Sequence, residues 1–148
     1  MRTTRLSQPH LLLLLLLAPV LLATVPLCLG DGGIAAYYEP SSSRTKCSNG
    51  NDDPSQFPEN KMFVAVGENL WDLGIACGRE YDVWCIGPGP CKSSGSGPVR
   101  VKVVDSAESS AASAEQSVPG ADLVLSQAAF EAIANPHVDS ITVKFEEV

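Results

Sequence analysis

Val99-Arg100-Val101-Lys102-Val103-Val104 has the clearest β-strand pattern in the chain, because valines alternate with basic residues at a period of two. β-Branched residues fit the pleated surface of a sheet, and the alternation predicts one apolar and one solvated face. A single short strand is not stable alone, so its partners must come from the sequence on either side.

The flanking sequence contains further short strands, separated by turn residues. Apolar or alternating runs predict strands at Gly32–Tyr38, Arg79–Ile86, Leu123–Leu125 and Ser140–Phe145, and a strand or a short helix at Lys61–Val66. Ser126 is placed to cap a short helix over Gln127–Ala134, which Asn135-Pro136 ends, whereas Ser106–Gly120 is predicted to be a polar loop. Many short strands with one or two short helices predict a small closed β-barrel of the mainly β class.

The first thirty residues have the pattern of a secretory signal peptide. Arg2 and Arg5 precede an apolar run from Leu11 to Ala23, and small residues follow near Gly30. A membrane anchor is the alternative, but prolines interrupt the run and no second apolar stretch follows. We therefore expect residues 1–30 to be removed, residues 31–148 to form one domain in the extracellular space or plant apoplast, and no stable membrane insertion after cleavage.

The charge of the mature chain limits its partners. The net charge is −7 for the whole sequence, and it becomes −9 once Arg2 and Arg5 are removed with the signal peptide. Such an acidic domain repels nucleic acid, anionic lipid and acidic wall polymers. A neutral wall polysaccharide or a cell-surface receptor fits better, and the protein is expected to be a monomer.

Four cysteines remain after cleavage, which in a small secreted domain indicates two disulfides. Spacing alone allows three pairings of Cys47, Cys77, Cys85 and Cys91. Cys85 and Cys91 flank a Gly-Pro-rich turn that could bring their sulfurs together, which would leave Cys47 with Cys77. Zinc is disfavoured, because the spacing of a zinc site is absent and no histidine is near, so no metal or cofactor is expected.

Several motifs extend these patterns into a family resemblance. They are Ala35-Ala36-Tyr37-Tyr38, Asn49-Gly50-Asn51-Asp52, Trp71-Asp72, Cys77-Gly78-Arg79-x-Tyr81, Val101-Lys102-Val103-Val104-Asp105, and Leu125-Ser126 with Phe130 and Ile133. Together they resemble the barwin-like double-psi β-barrel of expansin N-terminal domains, family 45 endoglucanases, barwin and plant natriuretic peptides. The resemblance is most specific to the stand-alone plant proteins with an endoglucanase-45-like domain. It implies a six-stranded double-psi β-barrel over residues 31–148, without a second domain.

The resemblance also implies that hydrolysis is lost. Family 45 endoglucanases cleave β-glucan with two carboxylates, and the position of their acid is occupied by Val124 in this chain. Asp122 lies two residues away along the predicted strand. Glu39, where the enzymes place their base, and Asp105, which matches a groove aspartate of the family, do not replace the acid. We therefore expect no catalytic residues and no enzyme activity.

Two functions remain open at this point. The resemblance favours a secreted signalling protein like the plant natriuretic peptides, which modulate ion and water homeostasis, including under stress, through a cell-surface target and cyclic GMP. The predicted receptor loop contains Cys47, Asn49, Asn51, Asp52 and Phe57. The alternative is an apoplastic, expansin-like or defence-related protein that binds cell-wall glycan, with a candidate groove formed by Tyr37, Tyr38, Glu39, Trp71, Asp105 and Asp122.

Overall fold

The computed structural model describes residues 30–92 and 97–148, and the predicted signal peptide lies outside them except for Gly30. Six strands close into a barrel in the order β1-β5-β2-β4-β3-β6. The strands are β1 (Asp31–Tyr38), β2 (Phe63–Val66), β3 (Glu80–Cys85), β4 (Val99–Ser106), β5 (Leu123–Ser126) and β6 (Ser140–Glu147). The pairs β1–β5 and β2–β4 are parallel, and the other four are antiparallel. The predicted six-stranded barrel is confirmed.

Three short α-helices connect the strands within the described residues: α1 (Glu68–Trp71), α2 (Ser110–Glu115) and α3 (Gln127–Ile133). Helix α3 begins after Ser126, whose hydroxyl accepts a hydrogen bond from the backbone N–H of Ala129 at 3.2 Å, as the sequence predicts. Helix α2 lies where a loop was predicted. It forms because Ser109 caps it in the same way, accepting from Ala112 N–H at 3.0 Å, and because alanine favours helix.

The alternation along the strands creates two apolar clusters. One fills the barrel and receives residues from all six strands, among them Ala35, Val64, Val83, Leu125 and Val143. The other lies on the opposite face of strands β1, β5, β2 and β4, which we call the covered face, and consists of Ala36, Tyr38, Phe63, Ala65, Val104 and Val124. Residues from the connections lie over it and remove it from solvent, namely Phe57, Ala107, Ala112, Val118 and Ala121.

Two disulfides are present, Cys47–Cys77 and Cys85–Cys91, with Cα–Cα distances of 5.6 and 5.5 Å. This is the pairing that the turn between Cys85 and Cys91 favoured. The Cys47–Cys77 bridge attaches the long connection between β1 and β2 to the segment that follows α1. That segment is itself fixed to the barrel, since Gly78 N–H donates to Val103 O at 2.9 Å.

Candidate functional site

Val124, to which the family resemblance assigns the position of the endoglucanase acid, lies on the covered face. Val124 is paired with Ala36 on one side and with Ala65 on the other, and its exposed fraction is 0%. Small apolar side chains therefore surround it, and the connections block its access to solvent. A polysaccharide cannot reach this part of the barrel in the present conformation.

Asp105 lies at the edge of the covered face and is fully buried. Its Oδ1 atom accepts hydrogen bonds from the backbone N–H groups of Lys46 and Ser106, both at 2.8 Å, and its Oδ2 atom accepts from the hydroxyl of Ser109. Burial raises the pKa of Asp105 above its ordinary value, although these hydrogen bonds act in the opposite direction. The contacts hold the Cys47 loop and the start of α2 against the barrel.

Tyr37 and Tyr38 point to opposite faces of β1, as expected for neighbours on a strand. Tyr38 is 1% exposed on the covered face, and its hydroxyl has no hydrogen-bond partner among the described residues. Burial, with the nearby negative charge of Asp105, raises the pKa of Tyr38. Tyr37 is half-buried and packs against Phe130 with 5.0 Å between ring centroids, so it is the more accessible ring of the two.

The remaining candidate carboxylates do not come together. Asp122 accepts a hydrogen bond from Ile34 N–H at 2.8 Å, and its own backbone N–H donates to Ile34 O at 2.9 Å. It therefore connects β1 to the approach to β5. Glu39 is exposed after β1 and lines a separate small cavity with Lys61. No pair of these groups has the arrangement of a general acid and a general base.

Trp71 is half-buried, since it packs against the barrel core, and the rest of its side chain borders open concavities. It separates two adjoining concavities of about 580 and 630 Å³, and both also contact Leu73. We call their combined lining the Trp71 surface. The first is lined further by Asp31, Glu68, Asn69, Leu70, Asp72, Arg79, Tyr81 and Glu147, and the second by Lys46, Cys47, Asn49, Gly74, Ile75 and Cys77.

The Trp71 surface is shaped by an unusual turn at the end of α1. Asp72, Leu73 and Gly74 have φ values of 46°, 53° and 95°, all in the left-handed region. A leucine rarely adopts this conformation, and here it places the side chain of Leu73 in solvent with an exposed fraction of 97%. Ile75 is also 64% exposed. Sequence reasoning missed these two apolar residues, although the Asp-Leu-Gly tripeptide was a turn signal.

Arg79 is the central cation of the first concavity. Its guanidinium lies 3.8 Å from the carboxylate of Asp72 and 3.6 Å from that of Glu147. All three groups are partly solvated, so these ion pairs position the side chains more than they stabilise the fold. Arginine and carboxylate groups beside an indole ring offer hydrogen bonds next to an apolar plane.

The predicted receptor loop is ordered by its own side chains. Thr45 and Ser48 form a reciprocal cap around a 3₁₀ turn, and the Thr45 hydroxyl donates to Gln56 Oε1 at 2.6 Å. The structure leaves Asn49, Asn51 and Asp52 exposed, whereas Cys47 and Phe57 are half-buried. The Phe57 ring packs against Phe63 with 4.8 Å between centroids, so it forms part of the cover over the barrel.

Within 30–92 and 97–148, none of the helices has the length and apolar character that a membrane span requires. In the same part of the chain, no three His, Cys, Asp or Glu side chains are grouped closely enough to hold a metal ion.

Comparison with known proteins places this arrangement among related barrels. The double-psi β-barrel family model described as "Lytic transglycolase" matches residues 64–145. "Putative EG45-like domain containing protein 1" of Arabidopsis thaliana is 35% identical over 118 residues, which cover 76% of this chain and 80% of that protein. "EG45-like domain containing protein 2" of the same plant is 32% identical over 125 residues, with 83% and 85% covered.

A solved structure shares the fold. It is a mutant expansin of Clavibacter michiganensis in complex with cellohexaose, and it superposes with a TM-score of 0.56 at 26% sequence identity. The match covers 79% of this chain, and the chain spans 49% of the length of that expansin.

Proposed function

Since the chain belongs to the EG45-like, expansin-type family of double-psi β-barrels, we propose that it is a secreted, non-hydrolytic protein that binds a neutral β-glucan chain of the cell wall on the Trp71 surface. The observation that carries the proposal is the position of the half-buried Trp71 between two open concavities. The related expansin in complex with cellohexaose supports a ligand of this class.

The chemistry of the Trp71 surface suits a neutral sugar chain. The faces of a glucose ring carry C–H groups that pack on an indole plane, and the exposed Leu73 and Ile75 continue this apolar surface. Asn69 and Arg79 can donate hydrogen bonds to ring hydroxyls. Four carboxylates line the first concavity against one arginine, so a polyanion such as pectate is disfavoured.

The absence of hydrolysis is part of the proposal. The family model is named for an enzyme, but the acid position that the family resemblance assigns is Val124, which cannot transfer a proton. Asp105 is engaged in three hydrogen bonds and buried, so it is a poor partner for a substrate. We expect the purified protein to release no reducing sugar from β-glucan.

The test compares two tryptophan variants of the mature, oxidised protein. Trp71→Ala should weaken binding of cellohexaose about fivefold, since one aromatic stacking contact is worth on the order of 1 kcal/mol. Trp84→Ala is the matched control, because Trp84 is half-buried like Trp71 but lies on β3, with the ammonium group of Lys144 5.2 Å from its ring centroid, and does not line the Trp71 surface. Equal affinities of wild type and Trp71→Ala in calorimetry would reject the site.

A second function is favoured by the order of the Cys47 loop. We propose as the alternative a signalling protein like the plant natriuretic peptides, which acts on ion and water homeostasis through a cell-surface target and cyclic GMP. Asn49, Asn51 and Asp52 are exposed on a loop that a disulfide and a reciprocal cap hold in one conformation, as a receptor epitope requires. This pre-organisation reduces the entropy lost on binding.

Wall-free plant protoplasts distinguish the two functions. Swelling and a rise in cyclic GMP with the folded protein, but not with a reduced and alkylated sample, would support signalling, because no wall polysaccharide is present. Asn51→Ala would then reduce the response, whereas Trp71→Ala would not. No response, together with binding of cellohexaose, would support the wall-binding function.

We also propose that the protein is secreted after cleavage of the signal peptide. Cleavage near Gly30 would leave β1 at the start of the mature chain, since this strand begins at Asp31. The two disulfides fit an oxidising extracellular compartment. N-terminal sequencing of the protein recovered from the apoplast is the direct check, and a start well inside β1 would contradict the proposed boundary.

A further inference from the structure

Another cavity, of about 280 Å³, opens beside helix α3 and shares no residue with the Trp71 surface. We call it the Tyr37 pocket. It is lined by Tyr37, Gln127, Phe130, Glu131, Asn135, Pro136, His137 and Val138. Its size is just below the usual range for small-molecule sites, so it suits a ligand of about one ring.

The Tyr37 pocket has an aromatic floor that is held in place. Phe130 is 3% exposed and belongs to the barrel core, and Tyr37 packs against it at an interplanar angle of 47°. The backbone N–H of Tyr37 donates to Ser117 Oγ at 3.0 Å, which anchors β1 at this point. Val138 and Pro136 extend the apolar lining. The floor therefore offers an apolar surface that does not need to reorganise for a flat ligand.

The polar rim of the pocket offers acceptors on Gln127, Glu131 and Asn135, and the ring of His137 can also donate. Gln127 Nε2 already donates to Glu131 Oε1 at 2.7 Å, and the side-chain amide of Asn135 donates to the backbone oxygens of Gly89 and Cys91. The carbonyl oxygens of both amides and the second carboxylate oxygen of Glu131 have no donor within the described part of the chain. Hydroxyl groups of a ligand can donate to these free acceptors.

From these two features we infer that the Tyr37 pocket is a binding site for a single hydroxylated six-membered ring. The ring face lies on Tyr37 and Phe130, and its hydroxyl groups donate to Glu131 and Gln127. Two sources offer this chemistry, a terminal sugar unit and a small phenol. The net charge of the chain and the Glu131 carboxylate disfavour an acidic ring, so the ligand is neutral.

The experiment is an NMR titration of the mature, disulfide-bonded protein with two separate probes, methyl β-glucoside and hydroquinone. The expected result is saturable movement of the amide resonances of Tyr37, Phe130 and Asn135 with at least one probe. Glucoside binding identifies a sugar site, and binding of hydroquinone alone identifies a phenol site. If neither probe moves these resonances, the inference is wrong.

Variants separate the pocket from a general surface effect. Glu131→Ala removes a charged acceptor and should weaken binding at least tenfold. Glu115→Ala is the matched control, because Glu115 is an exposed helical glutamate on α2 and does not line the pocket. Unchanged binding in Glu131→Ala would overturn the assigned acceptor role. Trp71→Ala should leave this titration unaffected, so failure of the Trp71 surface and failure of the pocket are distinguished.

Discussion

Replacement of Asp105 should reveal a structural carboxylate on the covered face rather than a catalytic one. In Asp105→Ala, the backbone N–H groups of Lys46 and Ser106 and the hydroxyl of Ser109 all lose their acceptor. A buried donor left without a partner costs about 1–3 kcal/mol. Because the loop around Lys46 can move towards water, the full sum is not reached, and we expect a loss of about 3–5 kcal/mol.

Asp105→Asn is the matched variant, and its effect should be much smaller. Both backbone N–H groups donate to Oδ1, which an asparagine retains. The new amide can donate to Ser109 Oγ, but this reversed hydrogen bond leaves the hydroxyl proton of Ser109 without its acceptor. The buried negative charge is removed at the same time. We therefore expect the free energy of unfolding to fall by about 1 kcal/mol or less.

The pH dependence of the free energy of unfolding shows whether the charge of Asp105 stabilises or destabilises the fold. Burial raises the pKa of Asp105 in the folded protein above its ordinary value of 3.8. In the pH window between the two values, the folded state binds more protons than the unfolded state, so this group lowers the stability as pH rises. Wild type should thus lose stability relative to Asp105→Asn on going from acid to neutral pH.

Urea denaturation followed by circular dichroism measures all three proteins. Stability of Asp105→Ala within about 1 kcal/mol of wild type would refute the structural role, because loss of a buried acceptor of three hydrogen bonds should lower the free energy of unfolding by more than this. Release of reducing sugar by wild type, lost in Asp105→Ala at unchanged stability, would instead establish catalysis.

Three further outcomes are expected from the described contacts. Double serine substitution of Cys47 and Cys77 should lower the free energy of unfolding by about 3.5 kcal/mol in the chain-entropy model, because the sequence separation is 30. The same change at Cys85 and Cys91, whose separation is 6, should lower it by about 2.3 kcal/mol. Equal losses for the two variants in urea denaturation would contradict this. Leu73→Asn should raise the free energy of unfolding by about 0.5–1 kcal/mol, because asparagine tolerates the left-handed conformation and the exposed leucine loses no packing. Ile75→Asn is the control and should have little effect, because Ile75 is in the right-handed region. Val124→Asp should lower the midpoint of thermal unfolding, because it buries an unpaired carboxylate, and it should not create hydrolysis. A stable variant that releases reducing sugar would contradict the burial of this position on the covered face.

The barrel itself was largely predictable from local patterns. Period-two alternation located β4 and β6, and the Ser126 cap located α3, because each depends on residues close together in the sequence. The pairing of Cys85 with Cys91 could be predicted for the same reason. The bounds of the strands differ from the prediction by only a few residues.

The site was less predictable, because a strand pattern does not state what covers each face. Tyr37 and Tyr38 alternate as expected, but only the packing of distant Phe57 and α2 determines that Tyr38 is buried. Helix α2 itself lacks an apolar periodicity and depends on its Ser109 cap, so it was missed. Exposed fractions of Trp71 and Leu73 likewise depend on where the chain turns after α1.

Under the proposed function, the covered face explains how a glucanase-like barrel binds a glycan without hydrolysing it. A carboxylate at Val124 would need water and substrate beside it, yet here alanines on both neighbouring strands and the connections close that space. Closing the space increases the buried apolar area and so stabilises a small barrel. The surfaces around Trp71 and Tyr37 lie outside the covered face and remain open to solvent. Binding at such surfaces requires no proton transfer, so it is compatible with the apolar face that stabilises the fold.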